Sequence, residues 1–343
     1  MPRLTDDPSL VYREIQSEYS GTFRDIELSR ADVEWLLLTN KKYHVPTSGK
    51  DPEKRLQNGL DLYYADLHGL NLSGMPLDYS SLRGANLRNT SFGHAFLIGA
   101  DLREAHLENA TLDGSDLSGA DLRGAFLSES TSLKRVHLTH KTYGTTSVCD
   151  IHWGDTNLAI VNFERLTKLG DEEAAELEEL QPNDPDSFGT MLEEAIRANR
   201  QLALVLQSQG LNESVARFYY NAHRLQQKLY RINHQRGKWF ASCLLNIFAG
   251  YGYLPSRALL AYVVTVLGFM DLLLVVSRFF SSTSLSVPEA FVLSLAAALG
   301  RGFFPPTLTF GDPISILAVI EGVIALFIEA MLIATFARRF LEG

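Results

Sequence analysis

Four ionisable residues stand in the most apolar part of this 343-residue chain. Asp271, Glu321 and Glu329 lie inside runs of Leu, Val, Ile, Ala and Phe, and Arg301 stands between Gly300 and Gly302. A charge in hydrocarbon is costly, so such residues face protein or water and mark ion or proton paths or interhelical hydrogen bonds. Arg301 follows the apolar run Val287 to Leu299, and the carboxyl end of a helix favours a cation. A ring of arginines in an oligomer belongs to an anion pore or a barrier rather than to a cation filter. The spacing leaves three uses open: a poorly selective or anion-permeable pore, a plugged non-conducting one, or Arg301 paired with Asp271 or Glu321. Glu321 and Glu329, eight residues apart, fall about 80° apart around a helix. One could face an axis while the other meets a neighbouring helix.

The remaining chemistry-bearing residues form no such pattern. Cys149 with His140 and His152 is too thin a set for a metal site, and Cys149 and Cys243, the chain's 2 cysteines, cannot make a disulfide framework. His68, His94 and His106 are scattered without a matching nucleophile or carboxylate. No catalytic residue, cofactor or metal is expected, and the chain does not read as an enzyme. Net charge −9 without a dense Lys/Arg patch argues against gripping nucleic acid.

The elements that hold the four ionisable residues are legible. Ala258 to Val276 carries one charge and Ile314 to Ala337 carries two acids; each suffices to cross about 30 Å of hydrocarbon. Between them, Val287 to Leu299 is too short to cross, at roughly 20 Å of helical rise. Ser286 and Glu289 form a capping box at its start, with Pro288 in the first turn. Cations near the spans are biased to one side: Arg231, Arg236, Lys238, Arg257, Arg338 and Arg339 against Arg278 and Arg301. That bias predicts both ends in the cytoplasm of a multi-pass protein of the inner (plasma) membrane. The start, Met1-Pro2-Arg3-Leu4, is followed by no apolar stretch, so no cleaved secretory signal is expected. Small residues Ala318/Gly322 and Ala330/Ala334 offer helix-contact faces.

Ahead of Arg236 the chain has 24 Lys+Arg against 34 Asp+Glu, and from Arg236 onward 7 against 6. The acidic first part is dominated by a period of five from Leu60 to Glu129. Leu62, Leu67, Leu72, Leu77, Leu82, Leu87, Phe92, Leu97 and onward to Leu127 fill the central position, with small residues such as Ala85, Ala95 and Ala105 two earlier and Asp or Asn often between. Five fits neither helix nor strand periodicity. It fits a four-sided coil that turns inward every five residues, with coils stacked at about 4.8 Å. This A(D/N)LXX pattern resembles the pentapeptide-repeat proteins, and the resemblance implies a right-handed quadrilateral β-helix. The segment has net charge −6 (10 Asp+Glu, 4 Lys+Arg), which admits a duplex-DNA mimic of the kind some family members present to topoisomerases; an ordinary solvated face of a scaffold accounts for the same acidity.

The sequence divides the chain into seven parts. Residues 1–59 read as a cap with degenerate repeats at Phe23, Leu28 and Val33 and a short helix around Trp35. Residues 60–129 are the regular coil. Residues 130–169 are degenerate repeats on a phase shifted by one (Leu133, Leu138, Val148, Trp153, Leu158, Phe163), with Lys134 to Val148 bulging out. Residues 170–186 read as an acidic linker. Residues 187–235 form a helical hairpin opened by a capping box at Thr190 and Glu193. Residues 236–255 form an interfacial helix beginning Trp239-Phe240. Residues 256–343 are the membrane part.

Span, short helix, Gly-X-Gly loop, span resembles the two-transmembrane potassium-channel pore unit, which in some bacterial proteins follows pentapeptide repeats. The resemblance implies a re-entrant pore helix and a homotetramer in the lipid bilayer. Where that family's filter reads Thr-X-Gly-Tyr-Gly-Asp, this chain has Ala298, Leu299, Gly300, Arg301, Gly302 and Phe303, so potassium selectivity is not expected. The expected function is a bacterial channel-like protein whose pentapeptide domain regulates it or binds a cytoplasmic protein partner. The alternatives are a membrane-anchored interaction scaffold with a non-conducting pore fold, and the topoisomerase-binding DNA mimic.

Overall fold

The computed structural model describes residues 23, 24, 26–39, 59–163, 165–180, 187–280, 284–300 and 312–341. The insert with Pro46, Gly49 and Pro52, the linker prolines Pro182 and Pro185, and Arg301, Gly302 and Phe303 lie outside them. The chain forms two compact units, Met1–Leu229 and Tyr230–Gly343.

In the first unit the period of five becomes a turn. Each central residue's carbonyl accepts from the amide three residues on, as Leu62 does from Ala65 at 3.1 Å and Leu87 from Thr90 at 3.2 Å. The residue two after the centre has φ between +54° and +70° from Tyr64 to Gly124, the third position of a type II turn. The Asp or Asn before the centre accepts from the amide two residues on, as Asp66 does from His68 (3.2 Å) and Asp116 from Ser118 (3.0 Å). That local bond is the physical content of the D/N preference. Parallel bridges join residues twenty apart, Asp61 to Ser81 and Asn86 to His106 among them, so each coil holds four turns. The central column and the small-residue column are both buried.

The coil changes at its ends. Downstream the bridging step grows to twenty-one (Thr111 to Ser132) and then twenty-six (Asp121 to Ser147). The first extra residue sits in the Ser128–Thr131 turn. The rest form a small antiparallel hairpin, β1 (Thr139–His140) and β2 (Gly144–Thr145), so the excursion is narrower than Lys134 to Val148. Gly119 is required beneath it: at φ +67°, a Cβ there would meet the Tyr143 carbonyl oxygen at 2.1 Å. Upstream, Phe23 and Leu28 are buried as expected, but Val33 lies in helix α1 (Arg30–Thr39) rather than in a coil. Ala31-Asp32-Val33 imitates the repeat, yet Asp32 accepts from the Ser29 amide (2.7 Å) while its own amide donates to Ser29 Oγ (3.2 Å). That reciprocal pair starts a helix.

Where the sequence suggests an acidic linker, Gly170–Leu180 is a helix, α2, with Asp171 and Glu172 4% and 0% exposed. Helices α3 (Ser187–Ser208) and α4 (Asn212–Ile232) follow. The capping box expected at Thr190 is absent because α3 is already under way there: the Thr190 hydroxyl donates to the Ser187 carbonyl at 2.7 Å. Leu202, Leu206 and Phe218 join the same apolar core as the leucine columns, so the hairpin closes the end of the coil. In the second unit come α5 (Arg236–Ala249), α6 (Pro255–Phe279), α7 (Val287–Ala298) and α8 (Pro313–Leu341). Pro255–Phe279 and Pro313–Ala337 are long and apolar enough to cross a membrane.

Candidate functional site

The second unit carries Asp271, Glu321 and Glu329 on its two long helices. Helix α7 begins at the expected capping box: the Ser286 amide donates to Glu289 Oε2 at 2.8 Å. Its apolar face packs on both long helices, Leu293 and Ala290 beside Leu273 and Ile314, and Ala298 beside Val266 and Ala325. Gly322 lets α8 approach closely, since a Cβ there would lie 3.1 Å from the Ala297 carbonyl oxygen. Ala318 is buried on the same side, whereas Ala330 and Ala334 are exposed within the unit. Helix α7 ends with Ala298 buried, Leu299 exposed and Gly300 at φ +64°.

The three acids do not converge. Asp271 is exposed on α6 and Glu329 is half-buried on α8, while Glu321 is 0% exposed. Ser294 from α7 meets Glu321 Oε1 and also reaches the Val266 carbonyl oxygen of α6 at 2.8 Å. Glu321 Oε2 is buried without a hydrogen-bond partner, and the Tyr262 hydroxyl is buried beside the Glu329 carboxylate. Neither Ser294 nor Tyr262 is marked as a site residue by the sequence alone. Ser294 carries a signal in retrospect, for it is the one polar residue besides Glu289 between Val287 and Leu299. On α5, Trp239, Phe240 and Ile247 are exposed.

A second polar cluster, also missed, closes the first unit. Three consecutive acids of α2 take three different sets of donors. Asp171 accepts from the Val148 amide at 2.8 Å and Glu173 from the Thr145 amide at 2.8 Å. Glu172 accepts from Asn199 Nδ2 (3.0 Å) and Asn221 Nδ2 (3.2 Å), with Arg224 at 3.7 Å. Burial pushes Asp171 up to about 6 and raises Glu172 against the bonds that favour its charge. The legible signal lies on α3, where Asn199 shares the apolar face of Ile196, Leu202 and Ala203. Burial, with Asp171 and Asp150 nearby, pushes the Cys149 thiol up to about 12, which makes it a poor thiolate ligand. On the coil surface His106, Phe126 and His152 form a stack, with ring centroids 4.8 and 4.4 Å apart. Among the described residues no group of three His, Cys, Asp or Glu could hold a metal ion.

Comparison with known proteins bears on the coil alone. The pattern of pentapeptide repeats matches in 8 copies over residues 65–103, 80–119 and 94–129. No curated protein matches the chain. Among solved structures, a pentapeptide repeat protein (Rfr23) of the cyanobacterium Cyanothece 51142 is 38% identical over 27% of this chain and 59% of its own, with a TM-score of 0.24. HetL of Nostoc sp. strain PCC 7120, a pentapeptide repeat protein involved in heterocyst differentiation regulation, is 28% identical over 26% of this chain and 43% of its own (TM-score 0.22). A pentapeptide repeat protein of the Arabidopsis thaliana thylakoid lumen is 23% identical over 31% of this chain and 73% of its own (TM-score 0.15). This chain therefore spans under two thirds of the first two. With the repeat pattern matched where turns, bridges and leucine columns coincide, residues 65–129 are a pentapeptide-repeat domain joined in one chain to a helical region with two membrane-capable helices.

Proposed function

We propose that this chain is a channel-like membrane protein, with α6 and α8 as spans, α7 as a re-entrant pore helix and the pentapeptide domain as a cytoplasmic regulatory or partner-binding module. The coil is taken as right-handed and four-sided, and the membrane unit as a homotetramer in the inner (plasma) membrane with both ends inside. The observation that carries the reading is α7: twelve residues, too short to cross, packed on both long helices and ending at a left-handed glycine. Backbone that turns at membrane depth is tolerated only when sheltered by protein or facing water, and copies around an axis supply that shelter. The exposed Leu260, Val264, Val323 and Leu326 then meet lipid or neighbouring copies. Arg301 on the axis would repel cations and admit anions.

Ion flux through liposomes containing the purified full chain tests this. Anion-preferring flux that Arg301→Glu turns toward cations supports the reading. Absence of flux in a membrane-inserted protein removes the channel and leaves an anchored pentapeptide-repeat domain.

A further inference from the structure

Ser294 poses a problem of hydrogen counting. Its Oγ lies within hydrogen-bond reach of two acceptors, the Val266 carbonyl oxygen at 2.8 Å and Glu321 Oε1. A hydroxyl owns one hydrogen. With Glu321 as a carboxylate, one of the two contacts would set lone pair against lone pair, in a place that excludes water and where an unmet acceptor is expensive. Helix α6 cannot change this, since a carbonyl only accepts.

We infer that Glu321 is a proton-binding site and that its acid form is the one this helix packing holds: the carboxyl donates to Ser294 Oγ, and Ser294 donates to the Val266 carbonyl. The relay ties the three helices of the second unit together through one proton. The surroundings agree. From α6 the facing titratable group is Tyr262, whose hydroxyl lies against the Glu329 carboxylate and near Glu321. From α7 the facing group is Ser294, and from α8 itself Glu329, two turns on. Among the described residues no Lys or Arg is ion-paired with Glu321, from α5 or elsewhere. The direct contact between Glu321 and Ser294 leaves no room for an interposed metal ion, whose oxygen ligands each stand 2.0–2.6 Å away. The inference concerns helix packing and does not depend on ion flow.

Infrared difference spectroscopy on the full chain in lipid at pH 7 tests it. A protonated-carboxyl carbonyl band is expected in the wild type, lost in Glu321→Gln and retained in Glu329→Gln. Ser294→Ala should keep the band and move it toward the frequency of an acid without a hydrogen-bond partner. Glu321→Gln, whose amide can still donate to Ser294, should keep the wild-type melting temperature at pH 7 and lose the decline that the wild type shows on alkalinisation. No band in the wild type, a band that survives Glu321→Gln, or a band that sodium ions abolish at constant pH overturns the assignment, the last in favour of a cation site.

Discussion

The leucine column of residues 62–112 turns inward, whereas many leucines of α6 and α8 turn outward. Leu62, Leu77, Leu97 and Leu107 are each 0% exposed, whereas Leu260 and Leu326 are 63% and 66% exposed. The buried acids differ in parallel. Glu172 and Glu321 are equally inaccessible, but Glu172 accepts from two side-chain amides beside a guanidinium and Glu321 meets a single hydroxyl. The pentapeptide unit completes its own core and gives one oxygen of its buried acid two side-chain amide donors, with a guanidinium 3.7 Å from the other. The helical unit leaves its apolar surface for something outside the chain, and an acid there has little to hold a charge with. A single exposed leucine is unremarkable, but α6 and α8 each carry a long run of exposed apolar residues beside their buried seam.

Removing the buried acid of the first unit should be among the costliest single changes. Glu172→Ala leaves the buried amides of Asn199 and Asn221 short of an acceptor and the part-exposed Arg224 without its counter-charge, and should cost the first unit about 2–5 kcal/mol, from about 1–3 kcal/mol per unsatisfied buried donor. Hydrogen exchange of α3 and α4 in the full chain reads this directly. A loss below about 1 kcal/mol, the range of an exposed ion pair, would mean that the polar cluster does not hold the hairpin. Leu97→Ala against Leu260→Ala tests the apolar half. The first should cost about 2–5 kcal/mol by cavity formation; the second should fall within about 0.5 kcal/mol, as surface changes do. Comparable losses at both positions would show that Leu260 is packed against protein in the assembled state, which favours oligomeric copies over lipid as its cover.

Legibility in the sequence followed the same divide. The coil was readable because one physical rule repeats: a turn every five residues that buries one large and one small side chain, as at Leu97 and Ala95. The start of α7 was readable from Ser286 and Glu289, whose capping bonds are local. What escaped involves partners far apart in the chain. Asp171, Glu172 and Glu173 look like a solvated acidic run until Val148, Asn199 and Thr145 are brought to them. Ser294 and Val266 meet Glu321 only because three helices pack. Val33 failed for a different reason, since Ala-Asp-Val satisfies the repeat by composition while Ser29 and Asp32 commit the backbone to a helix. Interhelical hydrogen bonding was one of several uses the spacing left open for Glu321 and Glu329; neither the choice between them nor the partner Ser294 was legible.

A pH titration of the first unit separates Asp171 from Glu172. Asp171 sits at about 6 in the folded unit, above about 3.9 for an unfolded aspartate. The folded state therefore binds this proton more tightly. Its contribution to stability rises as pH falls through about 6 and levels off below about 4, reaching at most about 2–3 kcal/mol. Asp171→Asn keeps an acceptor for the Val148 amide and should flatten the unfolding midpoint of the first unit between pH 7 and 5. A variant as pH-dependent as the wild type would assign the effect to Glu172.

The smallest expected effect concerns the polar rim of the same junction. Arg197 reaches Asp150 at 3.3 Å, with both side chains about half exposed (48% and 52%), while Gln201 makes two bonds of 2.9 Å to that residue. Water and salt screen such an ion pair, so Arg197→Ala should cost under about 1 kcal/mol. The loss should shrink further between low salt and 1 M, where the screening length falls to about 3 Å. Gln201→Ala, which leaves the Asp150 amide without its acceptor, should cost more than Arg197→Ala and respond little to salt. The reverse order would place the hold of α3 on the coil in surface charge rather than in Leu202, Leu206 and the buried acids. The first unit would then not be self-completing in the way that distinguishes it from the second.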